Sequence, residues 1–122
     1  MTLPEPCLLS QLSPQALARI ADYFKVLGES SRLQILSALQ GEALNVTEIM
    51  QATGLSQANA SKHLKSLTQL GIVSRRQEGV CVYYSVAEPV LFEVCGQISS
   101  LIARQMEQQR REIAELAQLS AR

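Results

Sequence analysis

The sequence predicts a mainly α-helical domain with one small β-hairpin, in the order α-α-α-α-β-β-α of a winged helix-turn-helix. The first observation is the composition: 47% of the 122 residues are hydrophobic, but only 4% are aromatic and none is Trp. A core of Leu, Ile, Val and Ala favours helices packed on helices. The second observation is the helical spacing of the apolar residues up to Gly71, and the third is a change to a period of two directly after it.

Residues 1–13 contain two prolines and no apolar period, so they are predicted to form an N-terminal arm. Ser13 and Pro14 are typical of an N-cap followed by proline at the first helical position, and Gly28 is typical of a helix end. The apolar residues between them follow at helical spacing: Leu17, Ile20, Ala21, Phe24 and Leu27. The first helix is therefore expected to occupy this segment.

Two shorter helices are predicted next. One begins near Ser30–Ser31 and ends before Gly41, with apolar residues at helical spacing. The other has Thr47 as its expected N-cap and ends at Gly54.

A fourth helix is expected to be capped by Ser56 and to end at Gly71. The connection "TGLS" that precedes it is the short, glycine-bearing turn typical of a helix-turn-helix. After Gly71, "IVSRRQ" and "VCVYYSV" flank Glu78-Gly79 and are predicted to form a β-hairpin, which would be the wing.

Glu88-Pro89 opens a final helix that is predicted to run to about Leu119. A helix of about 30 residues is about 45 Å long, which is more than a small wing domain can cover with its own core. Residues 14–122 are therefore expected to form a single winged-helix domain that includes a dimerising C-terminal helix.

The charge of the chain is balanced overall but not locally. Eleven Lys and Arg offset eleven Asp and Glu. Between Leu55 and Gly79, however, Lys62, Lys65, Arg75 and Arg76 face Glu78 alone, a local charge of +3, whereas the 26 preceding residues carry −2. Cations gathered on one short segment can meet phosphates even in a neutral protein.

The fourth helix separates into two faces on a helical wheel. Ala60, Leu64 and Leu67 gather on one side, and small polar and basic residues gather on the other. Asn or Gln can bind adenine through two hydrogen bonds, and a major groove admits one helix with short side chains near its N-terminus. The alternative is an ordinary solvated helix face. The predicted DNA-contacting residues are Ser56, Gln57, Ala58, Asn59, Ser61, Lys62, His63, Lys65, Arg75 and Arg76.

Three of these residues have a simpler interpretation. His63, the only histidine, could touch a phosphate, but it lies about 100° from Leu64 and could instead pack at the edge of the helix contact; packing is the interpretation we favour. Arg75 and Arg76 could lie along the minor groove or the backbone, or could be ordinary strand-surface charges.

These segments resemble the ArsR/SmtB family of bacterial winged-helix repressors. The similarity covers roughly residues 16–104 in the correct order, through "FKVLGESSRLQILSALQ" and "LSQANASKHLKSLTQLGIVSRRQEGVCVYYSV". The pattern S-x-x-x-x-S-x-H-L, followed by G-[IL]-V, R-R and Y-Y-S, carries it. The resemblance implies a homodimer, joined through the first and last helices, that binds double-stranded operator DNA near its own promoter and releases it when an inducer is sensed.

The metal ligands of many relatives are missing from this chain. Asn45 occupies the place where such relatives carry a cysteine before or within the third helix. Glu88 matches the first acidic position along the last helix, but Val90, Leu101 and Arg104 stand where the other ligands should be. With one histidine, an imidazole-rich site cannot be assembled. A zinc, nickel or cobalt sensor of the usual type is therefore not expected, and no metal site is predicted.

The cysteines offer another means of sensing. A dimer could bring Cys7, in the arm, near Cys95, on the last helix, and so form a thiol pair for oxidation, persulfide or arsenite. Cys81, in the wing, is expected to be incidental. Cys95 could also be a small buried hydrophobe, and the chain lacks the second-helix cysteine of persulfide-sensing relatives. Arsenite is the one ligand that this thiol pair is considered to bind, and no cofactor is predicted.

Other function classes compete with this one. A winged-helix module for protein–protein contact is the main alternative, and a repressor that answers to neither metal nor thiol chemistry is another. No nucleophile–base pair, phosphate-binding glycine loop or paired carboxylates indicate an enzyme.

The start of the sequence lacks a signal-peptide pattern and no apolar run is long enough for a membrane span, so a cytoplasmic protein without a membrane partner is expected.

Overall fold

The computed structural model describes residues 9–121 and confirms the predicted order of helices and strands. After a short 3-10 helix at Leu9–Gln11, the elements are α1 (Pro14–Leu27), α2 (Ser30–Ala38), α3 (Val46–Thr53), α4 (Gln57–Gln69), β1 (Val73–Glu78), β2 (Cys81–Val86) and α5 (Val90–Ser120). The first eight residues of the predicted arm, which include Cys7, lie outside the described residues. None of the helices within residues 9–121 is long and apolar enough to cross a membrane.

The structure divides into two compact units at Ala87 and Glu88. The first contains α1 to β2 and the second contains α5. The prediction that both belong to a single domain stays a prediction.

The core of the first unit lies where α2, α3, α4 and β1 meet. Its largest fully buried side chains are aliphatic: Ile35, Ile49, Leu64, Leu67, Ile72 and Val73. Burying a side chain of this size contributes about 1.5–3 kcal/mol each. This core holds α4 in place, because Leu64 and Leu67 lie on its inner face. Tyr23 of α1 also donates a hydrogen bond from its hydroxyl to the Leu70 carbonyl oxygen, at 3.4 Å.

The helix caps follow the sequence except at α3. Ser13 and Ser56 cap α1 and α4, as predicted. The predicted N-cap Thr47 is wrong, because Asn45 caps α3 through a capping box. Its side-chain oxygen accepts from the Glu48 backbone N–H at 2.8 Å, and the Glu48 carboxylate accepts from the Asn45 N–H at 3.0 Å. Both backbone N–H groups, which would otherwise lack an acceptor, are hydrogen-bonded, and this favours a helix capped by Asn45 over one capped by Thr47.

The hairpin turn is shifted by one residue from its predicted place. Glu78 is the last paired residue of β1, opposite Cys81, so the two-residue loop is Gly79-Val80. Gly79 has φ of 62°, a conformation that glycine adopts without steric cost and that a two-residue hairpin requires at its first loop position.

A contact that the sequence did not suggest joins the hairpin to the segment before α3. Leu44 and Tyr84 exchange two backbone hydrogen bonds, at 3.0 and 2.8 Å. Leu44 is itself buried. The second strand of the wing is therefore hydrogen-bonded to the segment directly before α3, the first helix of the helix-turn-helix.

Candidate nucleic-acid interface

The turn between α3 and α4 is built by a glycine and a serine. Gly54 follows α3 with φ of 77°, and its N–H donates to the Met50 carbonyl oxygen at 2.8 Å, which ends α3 in a left-handed cap. Two residues later, Ser56 accepts from the Asn59 N–H at 3.2 Å and starts α4. The two helices are thus joined by the short turn that the sequence predicted.

Burial of one face of α4 leaves the opposite face in solvent. Ala60, Leu64 and Leu67 are each 1% exposed or less. The predicted DNA-contacting residues of α4 and its cap, apart from His63, are all exposed: Ser56, Gln57, Ala58, Asn59, Ser61, Lys62 and Lys65. The side-chain amides of Gln57 and Asn59 make no hydrogen bond with another residue in the described range, so their donors and acceptors are available to base edges.

His63 is the exception, and its burial contradicts the predicted phosphate contact. The side chain is only 8% exposed, and its Nδ1 accepts a hydrogen bond from Nε of Arg32 at 3.2 Å. Arg32 also donates from Nη1 to the Val26 carbonyl oxygen at 3.1 Å. His63 therefore packs at the contact of α4 with α2, which is the interpretation favoured from its position on the helical wheel.

Glu29 completes the charged surroundings of this contact. As the N-cap of α2 it accepts the Ser31 backbone N–H at 3.1 Å. That hydrogen bond lowers the pKa of the Glu29 carboxyl, partial burial opposes the shift, and the nearby His63 and Arg32 lower the pKa further. Arg32 could not be predicted as the partner of His63 from the sequence, because a partner 31 positions away in the chain leaves no periodic or motif signal.

The two wing arginines differ in their surroundings although both are exposed. Neighbouring residues of a strand point to opposite faces, so Arg75 shares a face with buried Val73 and Arg76 shares a face with Glu78. Arg76 Nη2 lies 3.0 Å from the Glu78 Oε1. The exposed Arg76–Glu78 pair contributes little to stability, so a phosphate could displace Glu78 at low cost. Arg75 forms no ion pair within residues 9–121.

Of the two cysteines predicted to sense a signal, Cys7 lies outside the described residues and Cys95 lies on α5. Cys81 is exposed and Cys95 is half-buried, each a free thiol. No group of three or more His, Cys, Asp or Glu side chains among residues 9–121 is arranged to hold a metal ion. Asn45, at the place of the cysteine ligand in metal-sensing relatives, uses its side chain to cap α3.

Comparison with known proteins agrees with this geometry. The family model described as "Bacterial regulatory protein, arsR family" matches residues 29–75, which span α2 to the first residues of β1. The HTH-type transcriptional regulator Rv0081 of Mycobacterium tuberculosis is 32% identical over 85 residues, which cover 69% of this chain and 75% of that protein.

Two solved structures are similar to this chain over most of their length. The crystal structure of Mycobacterium tuberculosis Rv0081 has a TM-score of 0.70 and 28% identity, covering 80% of this chain and 98% of that one. The homodimeric winged helix-turn-helix DNA-binding domain Mb0332 of Mycobacterium bovis has a TM-score of 0.68 and 29% identity, covering 83% of this chain and 95% of that one. These relatives are transcriptional regulators and not enzymes. The chain belongs to the ArsR family of bacterial transcriptional regulators, and its first unit is a winged helix-turn-helix DNA-binding domain.

Proposed function

We propose that this regulator is a homodimeric repressor that reads double-stranded operator DNA with the N-terminal half of α4. The observation that carries the proposal is the division of α4 into a fully buried aliphatic face and an exposed face of short polar side chains. The helix N-terminus adds a favourable dipole for phosphate. Homodimerisation is supported by the homodimeric relative and by the exposed apolar side chains of α5.

The base-reading role is tested by alanine variants of Gln57 and Asn59. Each change should relax the choice of sequence and cost about 1–3 kcal/mol of operator affinity if the amide makes a bidentate base contact. The DNA is a duplex from the region upstream of the gene that encodes the chain, compared with a scrambled duplex. Gln34→Ala, which removes an exposed amide from α2, is the matched control and should leave the affinity ratio unchanged.

The wing is proposed to bind phosphates without reading bases. Arg75→Gln and Arg76→Gln should weaken binding to the specific and scrambled duplexes alike, and each should lower the salt slope by about one for every phosphate that the arginine neutralises in the wild type. If wing variants altered base preference and the α4 variants did not, the roles would be reversed. Affinity for DNA that is weak and insensitive to salt would favour the alternative of a protein–protein interaction module.

The signal is proposed to act through Cys7 and Cys95, by oxidation, persulfide or arsenite. Cys95 is half-buried on α5, the helix proposed to hold the dimer. A bridge there would change the angle between subunits and hence the spacing of the two α4 helices across adjacent major grooves.

Operator release by the cysteine variants tests the thiol proposal. Cys7→Ser and Cys95→Ser should each abolish release without reducing DNA binding, and Cys81→Ser should be silent. Each is assayed reduced and then with peroxide, polysulfide, arsenite and zinc, the last of which should have no effect. Normal release by the double Cys7/Cys95 variant would leave a constitutive repressor or one with a different ligand.

A further inference from the structure

A charged groove lies in the first unit at the end of α4 remote from the proposed base-reading residues. It has a volume of about 360 Å³ and is lined by Asp22, Lys25 and Val26 of α1, Arg32 of α2, Ser66 and Gln69 of α4, and Leu70 directly after α4. At a rise of 1.5 Å per residue, Gln69 lies about 15 Å along the helix from Asn59. A molecule in this groove would touch α4 without occupying its N-terminal face.

The groove offers unused hydrogen-bond donors. A guanidinium has five N–H donors, and Arg32 uses one for His63 and one for the Val26 carbonyl. The other three make no hydrogen bond with a residue in the range 9–121. Lys25 likewise forms neither an ion pair nor a hydrogen bond there. Ser66 and Gln69 add a hydroxyl and an amide at the same wall.

The balance of charge in the groove favours an anion. Lys25 and Arg32 outnumber Asp22, the one acidic lining residue. Glu29 does not line the groove, but it lies near Arg32 and stays negatively charged while it caps α2, so the excess of positive charge belongs to the lining residues alone. Guanidinium and ammonium groups together suit a carboxylate or a phosphate, and hydrogen bonds between ionised groups are the strong ones.

We propose that this groove binds a small organic anion, a carboxylate or a phosphate ester, as an effector of the regulator. The anion would accept hydrogen bonds from the free Arg32 N–H groups and so alter the contact of that guanidinium with Nδ1 of His63, one of the buried side chains of α4. The polar part of the contact between α4 and α2 would then respond to occupancy of the groove, while the core around Leu64 and Leu67 holds the rest of α4. This regulatory part rests on the proposed DNA-binding function, whereas anion binding itself does not.

Anion binding is tested on the full-length reduced protein by NMR. His63 is the only histidine, so its ring resonances report on the contact with Arg32 without ambiguity. Inorganic phosphate and acetate are titrated separately at constant ionic strength, with chloride as the replaced salt. The expected result is a saturable shift of the His63 ring and of the Lys25 and Gln69 amides. Shifts that stay linear in concentration, or that chloride reproduces, would overturn the proposal.

Charge variants keep the test specific to the groove. Lys25→Gln should weaken anion binding about three-fold, as expected for one exposed charge, and Asp22→Asn should strengthen it by a similar factor. Arg104→Gln removes one positive charge from α5 and should leave the binding constant unchanged. Equal effects of Lys25→Gln and Arg104→Gln would indicate non-specific screening and would contradict a built site.

A DNA-binding experiment distinguishes a free anion from a DNA phosphate as the occupant of the groove. The upstream duplex is titrated with wild-type protein and with Lys25→Gln, over a range of salt and without added phosphate. For an effector groove the two salt slopes should agree, and phosphate should weaken operator binding by wild type more than by Lys25→Gln. A slope lowered by about one in Lys25→Gln would assign the groove to the DNA backbone and refute the effector. If wild type did not bind the duplex at all, the proposed function would fail while the NMR result stood.

Discussion

The first unit and α5 differ in how far their apolar side chains are buried. Between α2 and β1, side chains such as Ile35, Ile49 and Leu67 are completely buried. Along the 31 residues of α5 no side chain is buried. Its exposed large apolar residues are Val90, Val94, Ile98, Leu101, Ile102, Met106, Ile113, Leu116 and Leu119. The first unit therefore has a core of its own, whereas α5 presents an apolar surface of the kind that marks an interaction site.

The two regions also differ in what stabilises them locally. In the first unit, side-chain caps start each of the four helices. In α5 no side-chain cap is present, but Glu107 pairs with Arg110 at 2.8 Å and with Arg111 at 3.4 Å. Such exposed pairs contribute only a few tenths of a kcal/mol each. The helix of α5 is thus locally supported, while the energy that holds a partner must come from its apolar stripe.

Removing most of α5 should have the largest effect. Truncation after Glu93 deletes the apolar positions from Val94 to Leu119, so the expected product is a monomer or an aggregate. Sedimentation and light scattering measure its oligomeric state, and operator titration measures its DNA affinity. A well-behaved monomer that still bound the operator tightly would refute the role of α5 in the dimer.

Single leucine-to-alanine substitutions should have the next largest effect, and they should distinguish the two regions. Leu64→Ala opens a cavity in the core of the first unit and should lower the free energy of unfolding by about 2–5 kcal/mol at any protein concentration. Leu116→Ala, at a position that is 63% exposed, should act only through association. Its effect on the denaturation midpoint should therefore vary with protein concentration. A Leu116→Ala effect independent of concentration would argue against a dimer contact at that position.

The capping box of α3 offers a smaller and more local test. Asn45→Ala removes the acceptor for the Glu48 N–H and should cost about 1 kcal/mol of stability. Thr47→Ala, inside the first turn of the same helix, is the matched control and should cost less. Urea denaturation of both variants measures the difference. The larger loss at Thr47 would restore the cap that the sequence first suggested.

Two carboxylates, one in each unit, should show the smallest effects. The pKa values of Glu29 and Glu107 are both lowered from 4.5, Glu29 mainly by the Ser31 N–H and Glu107 mainly by the hydrogen bond from Arg110. Each interaction therefore favours the folded state above pH 4.5 and is lost as the pH falls through the lowered pKa.

Carboxyl-carbon NMR at low and high salt distinguishes these two causes. Salt screens an exposed ion pair more than a backbone hydrogen bond, so the shift at Glu107 should shrink at high salt while most of the shift at Glu29 persists. Glu29→Gln and Glu107→Gln confirm which resonance belongs to which carboxyl. Equal salt sensitivity at the two sites would contradict the difference in cause.

Most of the fold followed from signals that act between residues close in the chain. The helical spacing, the Ser13 and Ser56 caps and the change of period after Gly71 led to the observed element order. The errors are also local: Asn45 and Thr47 are both acceptable caps by type, and only the reciprocal bonds with Glu48 decide between them. The exposed face of α4 was predictable for the same reason, since the helix angle alone separates Asn59 from Leu64.

The sequence by itself determined the class of the protein, the identity of α4 as the second helix of a helix-turn-helix, and the polar side chains on its outer face. Caps, turns and periodicity need only the preceding and following few residues, so they can be read without coordinates. Only the tertiary structure decided that His63 is buried against Arg32, that Leu44 pairs with Tyr84, and that α1, α2 and α4 enclose a charged groove. His63 and Arg32 are 31 positions apart and Leu44 and Tyr84 are 40 apart, so packing in three dimensions, rather than any spacing in the chain, selects the partners.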